Sequence, residues 1–193
     1  MPFDEARARA AVESLLLALG EDPSRPELAE TPARVAESFS EMLAGTGVDP
    51  SAILADGAVV LDVAPTETVA LRDIPFRSVC EHHLLPFAGS ASVAYLPGDR
   101  VAGLGRIARA VDAVASRLQV QERLTEQLAT AVEEGLGARG VLVVLSAAHS
   151  CLWARGSRTA GATAVTVAAR GAFTDPVRRQ EALALVSAGR SDG

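Results

Sequence analysis

The chain has 193 residues, about half of them apolar, and a formal charge of −6. That size and composition suit one domain with a real core and leave room for a small helical appendage, and nothing in them suggests disorder. The acidic balance argues against a general nucleic-acid binder, which needs a basic footprint, but a few converging arginines can still hold an anion.

The first twenty residues are charged throughout and lack the apolar block and small-residue cleavage site of a secretory signal. Val12, Leu15, Leu16 and Leu19 mark one face of a first helix, which Gly20 stops. After the loop Glu21-Asp22-Pro23-Ser24-Arg25-Pro26, Thr31 reads as an N-cap with Pro32 at the first helical position. Val35, Phe39, Met42 and Leu43 then form the apolar face of a second helix, ended by Gly45. Thr46 to Thr66 is weakly patterned. These residues, 1–66, are expected to form an N-terminal helical region ahead of a sheet-containing domain over 67–193.

Beyond that point the period changes. Val69, Leu71 and Ile74 suggest one strand and Ser92 to Leu96 another, followed by a Pro97-Gly98-Asp99 turn into Val101. Ile107, Ala110, Val111, Val114 and Leu118 mark a helix, and Leu124, Leu128, Val132 and Leu136 a second, closed by Gly137 and Gly140. Val141 to Leu145 and Thr163 to Ala168 read as strands, and Asp175 to Val186 as a short helix. The predicted fold class is α+β: an antiparallel sheet with two long helices on one face. The longest apolar stretch, Gly140 to Ala148, is too short to span a bilayer. No membrane or nucleic-acid partner is expected, and a cytoplasmic location with reduced cysteines is.

The two cysteines and three histidines all fall in two short segments, Cys80-Glu81-His82-His83 and His149-Ser150-Cys151. Cys80 and His83 are spaced to meet one ion, and Cys151 can complete the set. Two thiolates and an imidazole suit zinc. Three protein ligands leave the fourth tetrahedral position for water, whose pKa zinc lowers to about 7. The alternatives are two buried thiols, which leave the adjacent histidines unexplained, or a Cys80–Cys151 disulfide, which a reducing compartment disfavours. His82 and His149 are then available as general acid or base, or as residues that orient a ligand.

Arg106 and Arg109 share a face at a helix start, after Gly103-Leu104-Gly105. Together with exposed N–H groups and the helix dipole they can hold an anion, or simply face solvent. Glu122 can stabilise the first turn of its helix through the dipole, or accept two hydrogen bonds from the edge of a guanine. Arg155 can hold a phosphate or pair with a carboxylate. Trp153 suits packing.

These motifs together resemble the GTP cyclohydrolase I family. The likeness runs from about Glu21 to the C-terminal helix. It rests on Glu21-Asp22-Pro23, Thr31-Pro32-Ala33-Arg34-Val35, Ser78-Val79-Cys80-Glu81-His82-His83-Leu84-Leu85-Pro86-Phe87, Ala94-Tyr95-Leu96-Pro97, Gln119-Val120-Gln121-Glu122-Arg123-Leu124-Thr125, His149-Ser150-Cys151 and Arg155-Gly156. The resemblance implies the tunnelling fold, which forms rings, and a homo-oligomer of two stacked pentamers, a decamer. It implies Zn2+ on Cys80, His83 and Cys151, proton transfer by His82 and His149, and guanine held by Gln121 and Glu122. It implies triphosphate held by Arg106, Arg109 and Arg155, with Arg34 from a neighbouring subunit. The implied reaction is hydrolytic opening of GTP at C8, releasing formate and forming dihydroneopterin triphosphate for folate or other pterin synthesis. One departure stands out: Gly105-Arg106 replaces the family's usual Ser-Lys, in a chain with no lysine anywhere. Loss of the hydroxyl and the different geometry of arginine bear on the phosphate grip. They leave open a specialised paralogue acting on a related purine. A zinc-stabilised ring that binds nucleotide without turnover is the reading of another class.

Overall fold

The computed structural model describes residues 3–155 and 161–187. Contacts divide the chain into two compact units, residues 1–44 and 45–193, so residues 45–66, expected with the N-terminal helices, group with the second unit, where α3 (Pro50–Ala55) packs against the two long helices.

The first unit holds α1 (Glu5–Ala18) and α2 (Thr31–Met42). Asp4 caps α1 by accepting the Arg7 N–H at 3.0 Å. Thr31 is not the cap of α2 as expected. Glu30 holds the N-cap position, without a side-chain hydrogen bond, and Thr31 already lies inside the helix with Pro32. Leu15, Leu17 and Leu19 of the α1 segment are exposed.

The second unit begins with α3 (Pro50–Ala55), capped by the Asp49 carboxylate on the Ser51 N–H. Then follow β1 (Val59–Val60), β2 (Val69–Cys80), β3 (Pro86–Leu96), β4 (Arg100–Val101), α4 (Leu104–Ala115), β5 (Leu118–Gln119), α5 (Gln121–Leu136), β6 (Gly140–His149), α6 (Ser150–Trp153), β7 (Thr163–Gly171) and α7 (Pro176–Ser187). The main sheet runs β5-β2-β3-β6-β7, antiparallel except for the short β5 beside β2, while β1 and β4 pair separately. The fold is therefore α+β with a mainly antiparallel sheet.

Strand alternation gives this sheet two apolar faces. Val93, Tyr95, Val141, Val143 and Leu145 point toward α4 and α5, whose Ile107, Val111, Val114, Leu124, Leu128, Val132 and Leu136 complete the larger core. Each fully buried residue of this size is worth about 1.5–3 kcal/mol in transfer terms. Leu118, expected on the α4 face, lies instead in β5 and is exposed, because α4 ends at Ala115. Ala94, Leu96 and Leu142 face the other way and meet Phe173, Ala182 and Val186. A third helix, α7, thus covers the second face, which the sequence pattern did not anticipate.

Packing of α3 on α5 depends on Gly135. A Cβ there would fall 2.6 Å from the Ser51 carbonyl oxygen and 2.9 Å from Leu54 Cβ. Alanine would otherwise favour a helix by up to about 1 kcal/mol, but overpacking against backbone costs about 1–3 kcal/mol. A Gly135→Ala protein is expected to melt at a lower temperature than wild type. A raised melting temperature would mean that α3 does not sit there.

Candidate active site

The chemistry-bearing residues gather at one end of the sheet. The β2–β3 hairpin turns over residues 81–85, and Val79 pairs with Pro86. On the other side of β3, Phe87 pairs with His149 at the end of β6. Cys80 closing β2 and Cys151 just past β6 are thereby brought to either side of the start of β3. The Ser150 hydroxyl donates to the Pro86 carbonyl and ties the α6 turn to β3. Within the hairpin, the Cys80 N–H donates to the Leu85 carbonyl at 2.9 Å and the Leu84 N–H to the Cys80 carbonyl at 2.8 Å.

The ligand atoms of Cys80, His83 and Cys151 all lie within 4.8 Å of one another, and Cys80 Sγ is 3.7 Å from His83 Nδ1. Both cysteines are free thiols, so the disulfide alternative is not adopted. Burial pushes the Cys151 thiol above its ordinary value, and the nearby Cys80 adds to the effect. A divalent cation between them would relieve both costs. The donor set and its spacing fit a metal of zinc's type.

His149 is fixed on two sides. Its ring stacks on Phe87 with centroids 4.5 Å apart and planes 6° from parallel. Its Nε2 lies 2.7 Å from Gln121 Oε1. Gln121, at the start of α5, is 2% exposed. Its Nε2 donates to the Ala164 carbonyl at 3.0 Å and to Thr166 Oγ1 at 3.1 Å. With the amide nitrogen so committed, Oε1 must accept, and the neutral His149 carries its hydrogen on Nε2. That leaves Nδ1 as the free position. Burial lowers the His149 pKa, and the Glu122 charge opposes that shift.

A trio able to hold a metal beside a tethered histidine has the parts that hydrolysis needs, and comparison with known proteins gives the family. The sequence model described as GTP cyclohydrolase I matches residues 8–187. The chain belongs to the GTP cyclohydrolase I family. The GTP cyclohydrolase 1 of Leifsonia xyli subsp. xyli is 59% identical over 187 residues, covering 97% of each chain. That of Mycobacterium ulcerans is 52% identical over 187 residues, 95% of this chain and 91% of its own. Among solved structures, an archaeosine synthase QueF-like protein in the apo form aligns at 22% identity with a TM-score of 0.47, over 56% of this chain and 97% of that one; this likeness adds nothing to the assignment.

The remaining residues that the family resemblance singled out are placed unevenly. His82 is exposed on the hairpin, with Nε2 3.9 Å from Glu81 Oε1. Glu122 is exposed on the first turn of α5, near enough to His149 for its charge to be felt. The Gln121 side chain, by contrast, is spent inside the protein. Arg106 and Arg109 border a shallow depression with Gly103, Leu104 and Gly105 at the uncapped start of α4. Arg106 pairs with Asp56 at 2.8 Å, whereas Arg109 is exposed and has no partner among the described residues. Arg155 is exposed just after α6, its charge acting on Cys151, and its motif partner Gly156 lies outside the described residues. Arg34 sits on α2 in the first unit.

Sequence reasoning missed Phe87 as the platform for His149, Thr166 as a partner of Gln121, and the Arg123 guanidinium on Glu81. Arg123 holds the Glu81 carboxyl below its usual range. All four residues but Thr166 lie inside motifs that carried the resemblance, yet their partners are remote in the chain and no local spacing pairs them.

Proposed function

We infer that this protein hydrolyses GTP at C8 of the purine, releasing formate and forming 7,8-dihydroneopterin triphosphate. The observation that carries this reading is the convergence of Cys80, His83 and Cys151 beside a tethered His149, in a chain of the GTP cyclohydrolase I family.

Cys80, His83 and Cys151 would hold zinc, which supplies Lewis acidity and lowers the pKa of a water to about 7. His149, protonated at Nδ1, delivers that hydrogen to N7 of the purine. C8 then becomes electrophilic enough for water to add, the imidazole ring opens to a formamide, and a second water hydrolyses it to release C8 as formate, one water being returned when the pterin ring closes. Gln121 contributes by fixing which His149 nitrogen is free, not by reaching the base with its side chain. Glu122 accepts the N1–H and exocyclic amine of guanine. His82, on the open side of the hairpin, is the second proton carrier for the ribose rearrangement and ring closure. Arg109 and Arg155 hold triphosphate, with Arg106 joining them from its Asp56 pair and Arg34 from a neighbouring subunit. The assembly is a ring of the tunnelling fold, two pentamers forming a decamer. The exposed Val165 and Val167 on the edge strand β7 support association there. Among the described residues no helix is long and apolar enough to cross a membrane, and the proposed setting is the cytoplasm.

Two charge-assisted hydrogen bonds to Glu122 are each worth about 1.5–3 kcal/mol, so Glu122→Gln is expected to lower kcat/KM for GTP at least about a hundredfold. Turnover of GTP, ATP and GMP by both proteins is the test. GTP should lead for the wild type and lose its advantage over ATP in the variant. Equal use of ATP and GTP by the wild type would sink the guanine reading and favour a paralogue with another substrate.

A further inference from the structure

The hairpin that carries Cys80 and His83 is held by more than its own hydrogen bonds. It turns through Leu84 at φ 55°, a left-handed conformation that a leucine adopts only when its surroundings impose it. Beyond the Cys80–Leu85 and Leu84–Cys80 hydrogen bonds, restraint comes from one corner of the molecule, the junction of β5 and α5. The Glu81 N–H donates to the Gln119 carbonyl at 3.0 Å. The Glu81 carboxylate takes the Arg123 Nη2 hydrogen. Arg123 in turn donates from Nε to Gln119 Oε1 at 2.9 Å and from Nη2 to the Leu118 carbonyl at 3.0 Å. Gln119 is itself buried and donates to the Val114 carbonyl at 3.0 Å and Gln127 Oε1 at 2.9 Å. One residue of the hairpin, lying between the two ligands it contributes, is thus gripped by both backbone and side chain.

We propose that Arg123 is a positioning residue for the metal site, acting through Glu81 to hold Cys80 and His83 in ligating geometry before the ion arrives. This rests on the metal centre inferred above. The pair is half-exposed, and ion pairs of that kind add little to global stability. Its consequence is therefore local, in how much ordering the hairpin must undergo when metal binds. Lysine cannot replace arginine here, because the grip uses two separate nitrogens of the planar fork on three acceptors.

The test is zinc affinity of the full-length protein, measured by competition with a chromophoric chelator and read alongside the melting temperature of the zinc-free form. Arg123→Gln and Glu81→Gln are each expected to weaken zinc binding about 10–100-fold, the scale of a lost ligand-orienting partner, while the zinc-free melting temperature moves by less than about 4 °C. The double variant should bind zinc no worse than the weaker single one, since both changes remove one interaction. Arg123→Lys should not rescue, and Arg170→Gln, which removes another arginine paired to α5, should bind zinc as the wild type does. Zinc affinity of Arg123→Gln and Glu81→Gln within twofold of wild type overturns the proposal, as does simple additivity in the double variant. Because Glu81→Gln is isosteric and lies at the surface, it answers even where the Arg123 variant fails to fold. A wild-type protein with no zinc affinity overturns this inference together with the metal centre itself, a result distinct from equal binding by all variants.

Discussion

A His149→Ala protein is expected to keep its fold and its zinc and to release formate from GTP at least about a hundredfold more slowly than wild type, the usual scale for removing an acid–base group. The geometry makes this substitution informative. His149 is held by stacking on Phe87 and by the Gln121 carboxamide, and neither contact supports the metal. Gln121 keeps its bonds to Ala164 and Thr166 when the imidazole is removed, and the sheet register at Phe87 is a backbone matter. The loss should therefore appear in single-turnover formate release, with zinc content and the circular dichroism spectrum unchanged. Full activity in this variant would mean that another group protonates the purine and that the tether on His149 serves only packing.

Removal of a metal ligand should cost more. Cys151→Ala leaves two of three protein ligands, too few for a retained tetrahedral site, and both bound zinc and ring opening are expected to fall toward background. The Ser150 hydroxyl still ties the α6 turn to Pro86, and Cys151 is only half-buried, so the sheet should survive. Metal analysis and turnover, each measured before and after exposure of the wild type to a chelator, provide the check. A Cys151→Ala protein with stoichiometric zinc and wild-type turnover would remove Cys151 from the site.

Much of this was legible in the residues. The α4 and α5 helices declared themselves because Ile107, Val111 and Val114, then Leu124, Leu128, Val132 and Leu136, repeat at helical spacing and are all fully buried. The metal trio was legible because the cysteines and histidines occur nowhere else. The strands around it were not. Phe76 and Ser78 both face inward, but a buried serine breaks the apolar alternation, and Pro86 to Ala91 is mostly small residues. One of these, Gly89, is small for a reason only the fold reveals: a Cβ would meet the Ser146 carbonyl oxygen at 1.9 Å. The six residues of α3 are too few to show a period. The family resemblance gave Gln121 as a guanine ligand, but the partners of its side chain lie 24 to 45 residues away, where no local pattern shows them. The spacing of Arg106 and Arg109 left an anion site and a solvated face both open, and the partner of Arg106, Asp56, lies fifty residues earlier in the chain, beyond any local pattern.

The most direct test of the account is to incubate the zinc-loaded protein with GTP and follow formate together with the ultraviolet change to a pterin chromophore. Under the proposed function, both products form in equal amounts. Zinc-loaded, correctly assembled protein that yields neither would contradict it. Formate without pterin would confine the failure to the ribose rearrangement and closure assigned to His82.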